Sequence, residues 1–152
     1  MSAAAVDEIT TLIHEYATRL DAGDLDGVAA LFEHAELGSS VRPERMRGAE
    51  QSRAMYRGVI IHDDGTPRTM HLMTNVTVLV DDGGSTASAQ TSFTVLQATA
   101  ELPLQVIIAG LYDDRFERVD GSWRFAQRII DPRLLGDLRH HMRPGFLPEV
   151  AT

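Results

Sequence analysis

Cysteine is missing from this chain altogether. That one absence removes disulfide bridges, thiolate nucleophiles and zinc ribbons from its possible chemistry. Long apolar runs are missing too, and nothing approaches the ~18 consecutive apolar residues that a membrane helix needs. The opening Met-Ser-Ala-Ala-Ala-Val-Asp-Glu has neither a basic region nor an apolar signal core, so the expected location is the cytoplasm. Positive charge is in deficit: the formal net charge of -8 is the opposite of the basic footprint that a nucleic-acid backbone selects. Neither membrane nor nucleic acid is therefore an expected partner. No glycine-rich phosphate loop, nucleophile elbow or dinucleotide fingerprint occurs. His62-Asp63-Asp64 and His140-His141 hold metal-ligating residue types. Adjacent residues point apart on a helix or strand, however, and a third ligand at sensible spacing is lacking, so no metal and no cofactor are expected.

What is present is the composition of a soluble globular protein, 43% hydrophobic and 24% charged over 152 residues. One domain is expected over 1–152, with a core at about 6–131 and a tail at 132–152. From Val6 to Leu20, apolar residues at 6, 9, 12, 13, 16, 17 and 20 follow the rhythm of an amphipathic helix. Gly23 suits its stop, and Asp24 suits the N-cap of a short second helix through Phe32. Asp21 falls on the buried side of the first helix, at its C-terminal end. The negative end of the helix dipole and partial burial should both raise its pKa. A brief strand is expected around Glu36–Ser40, and Gly48 to Ile61 reads as a third helix of weak periodicity.

From there the pattern is β only. Arg68–Val80 is rich in β-branched residues and closes on the turn Asp81-Asp82-Gly83-Gly84. Its even positions (Met70, Leu72, Val76, Val78, Val80) form one apolar face, while His71, Met73 and Asn75 share the other. Further strands are expected at Thr86–Ala98, Gln105–Val119 and Ser122–Ile130, the last two joined by the hairpin signal Asp120-Gly121. Leu134–Met142 reads as a terminal helix. Helices first and then a long meander make an α+β pattern. Several strands are apolar on both faces, so one face needs a cover besides the helices, and a homo-oligomer, dimer or trimer, is expected.

Three stretches carry a family resemblance. Tyr16-Ala-Thr-Arg-Leu-Asp-Ala-Gly-Asp-Leu-Asp-Gly-Val-Ala-Ala-Leu-Phe32 resembles the opening helix pair of SnoaL-like proteins. Arg68-Thr-Met-His-Leu-Met-Thr-Asn-Val76 is similar to the strand that carries the catalytic histidine in scytalone dehydratase and in hexachlorocyclohexane dehydrochlorinase. Gly110-Leu-Tyr-Asp-Asp-Arg115 with Asp120-Gly-Ser-Trp-Arg-Phe-Ala-Gln-Arg128 resembles the closing hairpin of SnoaL-like proteins and of ring-hydroxylating dioxygenase β subunits. The resemblance implies the cone-shaped α+β barrel of the nuclear transport factor 2-like superfamily, with three N-terminal helices packed on a curved, mostly antiparallel sheet.

Carried over residue by residue, it also implies a catalytic pair, Asp21 and His71. A carboxylate that orients an imidazole makes a base able to take a proton from carbon while a leaving group departs. The implied activity is a cofactor-independent, dehydratase-like lyase or isomerase acting on a mostly apolar cyclic or aromatic small molecule. Tyr16, Phe32, Met55, Met73, Tyr112 and Arg128 are candidate substrate contacts. For Arg128 the choice lies between supplying charge to a developing anion and standing solvated near Asp131. The chain also departs from the dehydratase pattern: Thr94-Val-Leu-Gln97 lacks the second histidine, and Leu20 stands where a tyrosine precedes the aspartate. Two alternatives remain open. One is a non-catalytic ligand-binding or oligomeric subunit like the dioxygenase β subunits. The other is an isomerase or epoxide hydrolase needing a second inward carboxylate from Asp113 or Asp114.

Overall fold

The computed structural model describes residues 2–148. Helix α1, Ala3–Asp21, buries Ile9, Ile13, Tyr16, Ala17 and Leu20 on the stripe that the sequence rhythm marks. Each large aliphatic on that stripe contributes roughly 1.5–3 kcal/mol by leaving water. Gly23 ends the turn after it with φ of +77°, and a Cβ there would collide with the carbonyl oxygen of Gly65. Asp24 then caps α2, Leu25–Ala30, its side chain accepting from the Gly27 N–H at 2.9 Å.

Strand β1, Glu36–Ser39, pairs with a three-residue β2, Arg45–Arg47, which is too short and too charged to be legible in the sequence. Helix α3, Gly48–Met55, is shorter than expected. It tightens into a 3₁₀ turn at Tyr56–Gly58, and Val59 then bridges to Met142. Weak periodicity and the β-branched run Val59-Ile-Ile61 favour extended chain over more helix.

Four long strands complete one sheet: β3, Thr69–Val80; β4, Thr86–Gln97; β5, Gln105–Val119; and β6, Ser122–Leu135. The order is β2-β1-β6-β5-β4-β3, antiparallel except where β1 runs parallel to β6. Asp120 and Gly121 turn the β5–β6 hairpin with φ of +51° and +85°, the left-handed pair that a tight hairpin requires. The terminal helix expected at Leu134–Met142 is absent. Strand β6 runs on through Pro132 to Leu135, and turns follow. Pairing to β1 has ended by Ile130, so a residue without an N–H is tolerated there. The last tail residues, 149–152, lie outside the described residues.

Strand β3 departs most from its expected faces. Asn75 has φ of +50°, and the register with β4 slips between Thr74 and Thr77. One extra residue inverts the alternation that follows. Before the slip, His71 and Met73 point inward while Met70 and Leu72 are 59% and 40% exposed. After it, Val76, Val78 and Val80 pack against the core. The even positions thus belong to two different faces.

Candidate functional site

Residues opposite one another in a ladder share a face, and three such rows build the inner wall of the cone. His71 faces Val95, which faces Ile108; Phe93 faces Gly110, which faces Pro132; Tyr112 faces Ile130. All but Gly110 line a cavity of about 300 Å³. Gly110 leaves room for the Phe93 ring, which stacks on Tyr112 with centroids 4.3 Å apart. Helix α1 adds Tyr16 and Leu20, the α3 segment adds Met55 and Tyr56, and the C-terminal segment adds Leu138, His141 and Met142. The lining is mainly aliphatic and aromatic, with a few polar groups, as in sites for small apolar molecules.

At one end of this cavity Asp21 meets the start of β3. Its Oδ1 lies 2.5 Å from His71 Nδ1 and accepts from the Thr69 hydroxyl at 2.8 Å; its Oδ2 accepts from the His71 backbone N–H at 2.8 Å. Burial pushes the Asp21 pKa up, but the His71 ring, the His71 N–H and Thr69 together outweigh it, and the carboxyl is held below its usual value. This reverses the direction expected from helix dipole and burial, because bonds to the charged form outweigh both. With Nδ1 engaged by the carboxylate, the ring's Nε2 is left for the cavity. The His71 side chain is only 4% exposed and that of Asp21 21%.

Elsewhere on the wall, Tyr56 donates to the Tyr16 hydroxyl at 3.0 Å. Burial raises the pKa of Tyr16, Tyr56 and Tyr112, which keeps all three phenols neutral. Behind them lies Arg128, neither solvated nor in the cavity. Its side chain is fully buried and forms a bidentate pair with Asp114, Nε to Oδ1 at 2.7 Å and Nη2 to Oδ2 at 2.6 Å. Its guanidinium carbon sits 4.1 Å from the Tyr112 centroid and 4.3 Å from that of Tyr16. At Arg128 the Asp114 carboxylate outweighs burial and holds the guanidinium charged, whereas at Asp114 burial outweighs Arg128 and the carboxyl pKa is raised.

Of the sequence candidates, the fold therefore gathers Tyr16, Met55, His71 and Tyr112 around the cavity, with Asp21 bonded to His71. Phe32, Met73 and Arg128 do not line it. Phe32 packs behind Tyr16 and on Phe125, and Met73 packs into the core. Asp114 is consumed by Arg128, and Asp113 faces outward to Gln90, so the reading that needs a second inward carboxylate loses its residue. Tyr56 and His141 were not anticipated. Pairing of Val59 with Met142 brings them to the cavity, and no local pattern encodes that pairing. Among the described residues, no group of three or more His, Asp or Glu side chains stands close enough to hold a metal ion, and no helix is long and apolar enough to cross a membrane.

The family model for the SnoaL-like domain matches residues 1–129. Among solved structures, a Mycobacterium tuberculosis protein of unknown function is 27% identical, covering 87% of this chain and 73% of its own, with a TM-score of 0.70. An NTF2-like protein with a cystatin-like fold from Novosphingobium aromaticivorans is 22% identical over 85% of this chain and 82% of its own, with a TM-score of 0.71. A candidate scytalone dehydratase from the same organism is 20% identical over 93% and 94%, with a TM-score of 0.69. The last two speak to fold alone, which is the NTF2-like cone. No curated protein sequence matches the chain.

Proposed function

This chain belongs to the SnoaL-like domain family, and we propose that its cone is the site of a cofactor-independent, dehydratase-like lyase or isomerase. The substrate is a mostly apolar cyclic or aromatic small molecule. The observation that carries the reading is the 2.5 Å contact between Asp21 and His71 Nδ1 at the wall of an apolar cavity. Asp21 holds the N–H on Nδ1, so Nε2 presents its lone pair to the occupant. His71 is the general base, and the imidazolium formed is stabilised by a carboxylate already charged. A base so placed contributes roughly 10²–10⁴-fold. Tyr16, Tyr56 and Tyr112 shape the other end, and Met55 supplies an adaptable wall.

The test begins without substrate. ¹⁵N NMR of the His71 ring should report the Nδ1–H tautomer in the wild type and a loss of that bias in Asp21→Asn. On a panel of cyclic β-hydroxyketones, elimination should fall by about 10²–10⁴-fold in His71→Ala with the fold retained. Equal turnover in that variant would sink the idea.

The assembly proposed is a homo-oligomer, dimer or trimer, through the outer face of the sheet. Cross-strand rows there carry Met70, Leu96 and Val106, and Leu72 and Leu134. Met70, Val106 and Leu134 are 50–70% exposed, more than scattered surface apolars require. Sedimentation of the wild type against Val106→Glu measures it. A non-catalytic subunit would use the same face, but it would have no use for a charged carboxylate oriented on a cavity-lining histidine.

A further inference from the structure

His141 lines the same cavity as His71 and is 7% exposed. Its position is built without its ring. The His141 N–H donates to the Leu138 carbonyl at 3.0 Å, and its carbonyl accepts from the Ile60 N–H at 2.8 Å. One residue earlier, the His140 carbonyl accepts from Gln97 Nε2 at 3.0 Å and contacts His62 Nε2 at 2.9 Å. One residue later, Met142 bridges to Val59. The imidazole is thus held in place by backbone on both sides, while its Nδ1 is sealed from solvent with no partner among the described residues. A buried polar group without a partner is uncommon and calls for an explanation.

The ring is neutral. Burial pulls its pKa down to about 4, and the neighbouring His71 adds to that effect while Asp21 opposes it. A neutral imidazole has one N–H and one lone pair. A sealed orphan N–H is rarer than a sealed orphan acceptor, so the proton belongs on Nε2, the nitrogen left for an occupant. Of the phenols on the same wall, Tyr56 spends its O–H on the Tyr16 hydroxyl.

We propose that His141 donates through Nε2 to a ring carbonyl oxygen of the ligand, which narrows the substrate class to cyclic ketones. This rests on the lyase or isomerase reading above. His71 Nε2 takes the proton from the carbon next to that carbonyl; the C–H electron pair becomes the new C=C bond as the C=O π bond breaks and its pair moves onto oxygen. His141 holds the resulting enolate by its hydrogen bond and keeps its own proton. In elimination the enolate re-forms the carbonyl, the C–O bond at the β-carbon breaks, and the departing hydroxide takes the proton back from His71 as water. In isomerisation the same proton returns to a different carbon. A neutral donor stabilises charge that appears only as the reaction proceeds, which is where such stabilisation raises rate.

The test compares two probes of one shape, 2-tetralone and its hydrocarbon tetralin, by calorimetric titration of the full chain. The carbonyl stretch of bound ¹³C-labelled 2-tetralone is followed by infrared difference spectroscopy. Wild type should shift the stretch to lower wavenumber. His141→Phe should abolish that shift and lower the ketone-to-hydrocarbon affinity ratio about five-fold, the ratio cancelling whatever the larger ring does to both probes alike. His141→Gln, which keeps a donor, should recover part of the shift. An unchanged ratio and stretch in His141→Phe overturns the proposal, as does a wild type that does not bind the ketone. No turnover is needed, so the assignment of His71 as base stands or falls separately by its tautomer and by the His71→Ala rates.

Discussion

Two carboxylates in this molecule each hold a nitrogen base, and they differ in what is left over. Asp114 and Arg128 face each other across β5 and β6, both side chains at 0% exposure, with two short parallel hydrogen bonds. Asp21 and His71 join the end of a helix to the start of a strand, and one ring nitrogen of the pair remains open to a cavity. In the first pair most bonding capacity points inward, toward the partner and the aromatic rings around it, so its product is a fixed architecture. In the second, one group orients another whose Nε2 has no hydrogen bond among the described residues. The difference teaches that a short ion pair is not by itself a sign of a reactive site: among the described residues Arg128 Nη1 also has no partner, but it is sealed in the core, whereas His71 lines the cavity.

Substitutions can break that contrast, and the largest effect belongs to the sealed pair. Arg128→Met strands the Asp114 carboxylate in the core and should cost about 3–5 kcal/mol in urea denaturation. The double variant Asp114→Leu/Arg128→Met should recover most of it, because an unpaired buried charge costs more than no pair at all. Asp21→Asn, by contrast, gives up only the stability that the His71 and Thr69 bonds to the charged carboxylate supply, so its midpoint should fall by less than that of Arg128→Met while the His71 tautomer bias is lost.

Acid sharpens the contrast next, with an effect on the order of 3 kcal/mol from one group. His141 is neutral in the fold down to about pH 4, whereas in the unfolded chain it takes a proton near pH 6.5. Between those values the unfolded state binds more protons, so stability is full above pH 6.5 and falls as pH drops toward 4. Below that, protonation of Asp21, whose folded pKa is lowered, removes a further contribution. Urea midpoints at pH 7, 5.5 and 4 should show the first loss in wild type and not in His141→Phe. The smallest effect concerns the phenols: Tyr56→Phe removes the 3.0 Å bond to Tyr16 and should cost about 1 kcal/mol by the same assay.

Local signals in the sequence carried much of this. The α1 stripe, the Asp24 cap, the Asp120-Gly121 turn and β5 itself were legible because helix period, capping chemistry and turn chemistry act within a few residues. The place of Asp21 on the buried side of α1 followed from the same period. Its pKa direction did not, because hydrogen bonds from Thr69 and His71 decide it, and those partners are 48 and 50 residues away. Arg128 was ambiguous for a related reason, since only the β5–β6 register sets Asp114 opposite it. The longest-range feature was the least legible. Nothing near His141 announces Val59, and a run with helical composition became a turn zipped to the extended chain after the 3₁₀ turn.

One inserted residue at Asn75 has a consequence for how this domain can vary. Strand β3 is a message read in two frames: the first carries His71 to the cavity, and the second carries three valines to the core. Substitutions along it are changes of a single letter, but removing one residue at the junction is a change of frame. It would set the half that carries His71 and the half that carries the valines against each other, so that only one of them could face inward. Length at that point is therefore under a stricter constraint than the identity of any side chain along the strand.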